Sequence, residues 1–372
     1  MGVRLIFLAM MSLFSMCSGQ NVTKASNQLS EQLQIEGEVG TLVAEIEGNP
    51  NLIFQDHQLN YWLGVKGKGV YKYNPTAKSS LIVYTKKDGL CSDDILGIQE
   101  DQAGNIYFDT FESVCKFNGE QFQSLEVIDK PSTWQEWKLE PTDMWFRMGW
   151  NHAGPFRYDG DYLYALHFPK PAQADTFNAR YPDASFNPYG IYSVYQDSKG
   201  IIWFGTSSLG VARYDGNSVD WLYEDQLTNT PSGGAFGMRS MLEDQDGYFW
   251  FNTTRHRFKV LAENVKRGET NYIQYQPEKG VGYDQTAGEM EFPYFLSMVE
   301  DEAGDLWGVT YQDGVWQKQG EKLIHHPVKA GDTDVSLFSI YKDKQGILWL
   351  VTHEDGLYKY DGKGFKKFKL GH

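Results

Sequence analysis

Three short segments of this chain combine residues that can move protons and hold anions. Arg147-Met-Gly-Trp-Asn-His-Ala153 carries Arg147, Asn151 and His152, Thr253-Thr-Arg-His-Arg257 carries Arg255, His256 and Arg257, and Thr352-His-Glu-Asp355 carries His353. Imidazole exchanges protons near neutral pH, and guanidinium holds carboxylates in a planar fork. With Tyr189, Tyr192 and Arg239, these types suit β-elimination beside a carboxylate. A cation neutralises the acid and so acidifies the neighbouring carbon; a His or Tyr removes that proton; a Tyr or His protonates the departing oxygen. Glycoside hydrolysis usually needs two facing carboxylates. Glu289, Glu291, Glu354 and Asp355 are present, but no spacing pairs them. No Walker, Gly-x-Ser-x-Gly, His-Glu-x-x-His or Cys-x-x-Cys pattern occurs.

Each residue also has a plainer reading. A loop His or Arg is by default solvated or packed. Trp150, Tyr189 and Tyr192 either stack on sugars or pack within the fold. What gathers these residues is the repeat that positions them. Asp197-Ser-Lys-Gly-Ile-Ile-Trp-Phe-Gly-Thr leads to Gly210-Val-Ala-Arg-Tyr-Asp-Gly216, and Asp343-Lys-Gln-Gly-Ile-Leu-Trp leads to Gly356-Leu-Tyr-Lys-Tyr-Asp-Gly362. Weaker copies place Trp62, Tyr107, Trp145, Trp250 and Trp307 in the same register, at successive spacings of 45, 38, 58, 47, 57 and 42 residues from Trp62 to Trp349. Asp-x-x-Gly is a tight turn, in which Gly supplies positive φ and Asp bonds the turn backbone. The apolar run that follows reads as a strand. Seven such copies predict an all-β chain, a seven-bladed β-propeller over 51–372 with four antiparallel strands (A to D, from the axis outward) in each blade. For the last blade the pattern predicts strands near 337–342, 347–352, 357–360 and 365–368.

In that topology the B-to-C loops and D-to-A connections share one face, and the Asp-x-x-Gly turns lie on the other. The three histidine segments are read as B-to-C loops. The long irregular stretches 169–189, 225–236 and 276–293 are read as D-to-A connections, so all converge on one face, the default site. His167 is placed on strand D of blade three, and His325 and His326 at the periphery.

The copies resemble the two-component-regulator propeller repeat of bacterial glycan-sensing receptors, most closely around Trp203 and Trp349, across about 51–369. The resemblance implies a propeller and leaves function open. Stand-alone propellers also include virginiamycin B lyase-like enzymes and ulvan lyases. The ulvan lyases carry a His pair, Tyr and Arg on such a face, and His152, His167, Tyr189, Tyr192 and Arg239 are similar in type and order.

The net charge of −15 disfavours nucleic acid and anionic membranes, so an acidic ligand needs a local basic patch. Arg4 followed by the apolar run 5–14 predicts a leader over 1–19, processed either at Cys17 as a lipoprotein or after Gly19. Residues 20–50 read as a polar segment, with 41–47 able to add a strand to the ring. No transmembrane span is expected after processing. Cys91 and Cys115 are either buried thiols or, given export, a disulfide. No cofactor is implied: the turn aspartates read as caps, with a structural cation as the alternative.

The sequence thus predicts a monomeric, exported carbon–oxygen lyase, periplasmic or outer-membrane, acting on acidic, uronate-containing oligosaccharides. In it His152 or Tyr192 is the base, His256 or a Tyr the acid, and Arg239 or Arg255 the carboxylate clamp. Arg147, Asn151, His167, Tyr189 and His353 contact substrate. The alternative is a non-enzymatic glycan-binding, sensor-like propeller; a third reading, an interaction scaffold, predicts a flat face.

Overall fold

The computed structural model describes residues 39–76, 81–128, 136–228, 236–267, 270–281 and 293–370. The predicted leader, Cys17 and the polar segment up to residue 38 lie outside them.

The described chain is a β-propeller. Blade four follows the repeat closely, with strands Ile191–Gln196, Ile202–Thr206, Val211–Tyr214 and Val219–Leu222 in antiparallel order. Blade seven has Leu337–Lys342, Leu348–Thr352, Leu357–Tyr360 and Phe365–Lys367, within a residue of expectation. Blades two (Gly97–Glu100 to Phe122–Ser124) and six (Ser297–Glu300 to Lys322–His326) are likewise four-stranded. Blade one (Pro50–Gln55, Tyr61–Val65, Gly69–Tyr73, Leu81–Tyr84) gains a fifth strand, Thr41–Val43, antiparallel to its strand D. Tyr61 donates its hydroxyl to Asp343 at 2.7 Å, and Tyr341 accepts from the Gln55 amide at 2.9 Å, closing blade seven onto blade one.

The turn aspartates do more than cap. Asp197 Oδ1 accepts from the Lys199 and Ile201 amides, and Oδ2 accepts from the Trp203 indole at 2.8 Å. The same carboxylate-to-indole bond joins Asp56 to Trp62, Asp244 to Trp250, Asp301 to Trp307 and Asp343 to Trp349, and Asp101 accepts from the Tyr107 hydroxyl. Each of these five indole N–H groups therefore has a partner six residues upstream, which fixes turn to strand. In blade one Leu59 stands at the turn position where blade four has Gly200, and it adopts a positive φ of 66°.

Blade three departs from the pattern. Its strands are Met144–Phe146, Phe156–Tyr158 and Leu163–Ala165, with Val127–Ile128 added in parallel outside; no strand lies on the axial side of Met144–Phe146 among the described residues. The 38-residue interval before Trp145 is the shortest of the six. Asp143 is two residues from Trp145, not six, and binds Arg157 through two bonds of 2.7 and 2.9 Å. The buried Trp145 indole N–H has no partner among the described residues.

Blade five also differs from expectation. Its strand C is His256–Arg267 and its strand D Thr270–Lys279, a long hairpin whose far end pairs in parallel with strand D of blade four at Asp220 and Trp221. His256 and Arg257 thus open a strand instead of lying in a loop, and the following connection starts after Lys279, not at Gln276. The connection 169–189 contains a helix, Ala172–Arg180.

Candidate functional site

The B-to-C loops and D-to-A connections do meet on one face. Phe168 N–H donates to Ala153 O, Ser207 N–H to Gly190 O, Met238 N–H to Thr206 O, Val281 N–H to Thr254 O and His353 N–H to Ser336 O, each at 2.8–3.0 Å. Near the axis of this face a run of contacts links Arg147, Tyr192, Arg239, Phe236 and Tyr294, and the charge of Arg255 acts on Tyr294 and His256.

The series starts at Arg147, at the end of blade three's first strand. The equivalent position in blade four is Gly205, where any Cβ would run into Ser193 and Met238 O. With no strand on the axial side of Met144–Phe146 among the described residues, blade three carries arginine here instead. Arg147 donates Nη2–H to Leu96 O at 2.7 Å and Nη1–H to Tyr192 O at 3.2 Å, tying blade two to blade four across the gap. Asp109 supports it: its carboxylate accepts from the Arg147 and Met148 amides at 3.3 and 3.0 Å and lies 3.9 Å from Arg147 Nε. Burial pushes the Asp109 carboxyl up to about 6 even though Arg147 and these N–H groups pull it down, and burial lowers Arg147.

The Tyr192 ring comes next, with the Arg239 guanidinium 4.6 Å over it. Arg239 donates Nε–H to Phe236 O at 2.8 Å and lies 5.5 Å from the Phe236 ring, and burial lowers its pKa. Phe236 meets Tyr294 edge-on at 5.2 Å. Tyr294, raised by burial, feels the charge of Arg255, which together with burial lowers His256. Five predicted residues, Arg147, Tyr192, Arg239, Arg255 and His256, therefore belong to one series. Arg257 does not: it pairs with Glu278 at 3.0 Å and stacks on Tyr248.

The other predicted residues are placed elsewhere. The His152 ring packs edge-on against Phe156 at 4.8 Å. Asn151 is exposed and offers its carbonyl to Asn187 Nδ2. His167 lies beyond the strand that ends at Ala165, not on it; it is exposed, and its backbone abuts Gly154. Tyr189 packs against the core shared by blades three and four, and burial raises its pKa. His353 sits between the rings of Tyr311 and Phe338, at 5.2 and 5.3 Å, beside a cavity of about 330 Å³ that Glu354 and Asp355 also line.

Two positioning residues escaped the sequence reading, Asp109 and Asn252. Asn252 is fully buried at φ 55°; its Oδ1 accepts from the Arg239 and Ser240 amides, and its Nδ2 donates to Leu227 O and Gly237 O. Both stand two residues after their blade's aromatic, where blades one and four have glycine and blades six and seven valine. A polar residue inside that apolar strand was the available signal. Phe111 and Trp150, 46% and 47% exposed, form an edge-on pair at 5.1 Å on the same face. Among the described residues, no cluster of three or more His, Cys, Asp and Glu is placed to hold a metal ion, and no helix is long and apolar enough to cross a membrane. Cys91 and Cys115 form a disulfide.

The two component regulator propeller family matches residues 185–208, the copy around Trp203. No curated protein matches the sequence. Among solved structures, the chain is similar to the extracellular domain of a putative one component system from B. thetaiotaomicron, with 16% identity, a TM-score of 0.53, and coverage of 86% of this chain and 39% of that one. It thus spans about two-fifths of that ectodomain's length. It is also similar to virginiamycin B lyase from Staphylococcus aureus, with 11% identity, a TM-score of 0.57, and coverage of 85% and 97%. These likenesses show a β-propeller fold. The likeness to ulvan lyases rests on residue types alone.

Proposed function

We propose that this protein is an exported propeller that binds an acidic, uronate-bearing saccharide on the face formed by its B-to-C loops. The series Arg147–Tyr192–Arg239–Phe236–Tyr294–Arg255 carries the reading. In a chain of net charge −15, it gathers three guanidinium groups, one of which, Arg239, lies between the Tyr192 and Phe236 rings. Rings offer apolar faces to sugar C–H groups, and guanidinium offers forked donors to carboxylates. The Cys91–Cys115 disulfide fits an oxidising compartment. Calorimetry against uronate oligosaccharides tests the reading. Arg239→Ala should weaken binding at least tenfold; unchanged affinity in that variant would overturn it.

β-Elimination is the second reading, favoured by His256. Its lowered pKa keeps the imidazole neutral and able to take a proton, with the Arg255 charge beside it. In this reading Arg239 or Arg255 clamps the carboxylate, and His256, Tyr192 or His152 serves the proton transfers. Turnover would appear as ultraviolet absorbance of a new unsaturated uronate, accompanied by chain cleavage for a lyase or loss of water for a dehydratase. Binding without absorbance change would leave recognition alone.

A further inference from the structure

The insertion between blades three and four builds a second concavity on the same face. Its helix, Ala172–Arg180, is pinned on one side: the buried Gln173 donates Nε2–H to Leu209 O at 3.0 Å and accepts at Oε1 from the Tyr272 hydroxyl at 2.9 Å. One turn further along the same face, Phe177 packs on the core shared by blades three and four and meets Tyr181 and Phe186, with ring centroids at 5.2 and 5.8 Å. These rings, Tyr223 from blade four, Arg180 and Asp183 border a cavity of about 390 Å³, within the range of small-ligand sites. Tyr181 is 49% exposed and Phe186 43%. Such rings held around a concavity by a pinned helix offer an apolar face that the fold itself does not cover.

Blade four's B-to-C loop lies between this cavity and the axial series. Ser208 lines the cavity, and the neighbouring Ser207 carbonyl borders Gly237, where an added Cβ would lie 2.6 Å from the Tyr192 ring and 3.3 Å from that carbonyl. One saccharide laid along the face would pass from Tyr192 past Ser208 into the cavity. Sugar rings present C–H faces to aromatic walls and hydroxyls to groups such as Arg180, Asp183 and Ser208.

We infer that this cavity is a subsite for a pyranose residue distal to the uronate held at the axis, so that the protein selects long oligosaccharides over short ones. The inference rests on the acidic-saccharide reading above. The test is calorimetry with disaccharide and hexasaccharide fractions of alginate, polygalacturonate, hyaluronan and ulvan. The native protein should bind a hexasaccharide about tenfold more tightly than the matching disaccharide. Tyr181→Ala with Phe186→Ala should abolish that difference while leaving disaccharide affinity unchanged, whereas Arg239→Ala should weaken both lengths. Both substituted rings are largely exposed, and circular dichroism checks that the fold persists. Equal affinity for the two lengths, or full hexasaccharide affinity in the double variant, overturns the subsite and spares the axial reading. If no fraction binds the native protein, both fall.

Discussion

Blades three and four are neighbours cut from one repeat, and they solve the axis differently. Blade four fills it with a strand, needs glycine at position 205 to admit that strand, and satisfies its indole with Asp197. Blade three presents Arg147 there, spends its aspartate on Arg157, and leaves the Trp145 N–H unsatisfied among the described residues. The regular blade supplies rigidity, while the irregular one brings a cation to the axis. Departure from the repeat is therefore where the proposed recognition chemistry would enter, as expected when sites are grafted onto a stable scaffold.

The largest test of this contrast is Arg147→Ala. It removes both carbonyl contacts and strands a buried carboxylate, so thermal or urea unfolding should show a loss of about 3–5 kcal/mol near pH 8. The loss should shrink at pH 5. Asp109, raised from 3.8 to about 6, keeps its proton in the folded chain across a window where the unfolded chain has released it, so its contribution to stability falls as pH rises from about 4 to 6. Without Arg147 the folded pKa rises further, and the added cost appears only above that window. An equal loss at both pH values would mean that Asp109 and Arg147 are not coupled.

Blade two supplies Leu96 and Asp109 to this arrangement, and the Cys91–Cys115 bridge, closing a separation of 24 residues, braces the connection that leads to Leu96. Replacing both cysteines by alanine should cost about 3 kcal/mol on the loop-entropy account, measured by denaturant midpoint. An unchanged midpoint would show that packing alone holds blade two. Trp203→Phe and Trp145→Phe sharpen the comparison next. Both lose the larger ring, but only Trp203 loses a hydrogen bond, so its variant should be less stable by an extra ~1–2 kcal/mol. Equal losses would make the aspartate–indole bond energetically silent. The smallest effect is a gain: Leu59→Gly relieves a left-handed backbone and should raise stability by up to about 1 kcal/mol, read as a small increase in Tm.

The regular blades were legible because their order is local: a turn, an alternating strand and a second turn lie within about twenty residues. Blade seven could accordingly be placed almost to the residue. Blade three could not, since the placement of Arg147 depends on contacts from blades two and four. The histidines illustrate the same limit. Spacing put His152 and His256 on one face, but only side-chain packing turns one toward Phe156 and sets the other beside Arg255. Arg147, Tyr192 and Arg239 were nominated by type; that Arg239 stacks on Tyr192 and Arg147 bonds its carbonyl depends on contacts between blades that no local pattern encodes.

The extra strands have a consequence for how the protein behaves in company. A propeller blade ends in an outermost strand whose unpaired N–H and C=O groups invite other chains to add on. Thr41–Val43 covers that edge in blade one, Val127–Ile128 covers it in blade three, and the hairpin of blade five covers it in blade four. Where the outermost described strand is left open in blade seven, Phe365–Lys367, it carries Lys366 and Lys367, charges that oppose edge-to-edge addition. The same pairings that look like irregularities in a single blade thus keep neighbouring molecules from templating on one another at high local concentration.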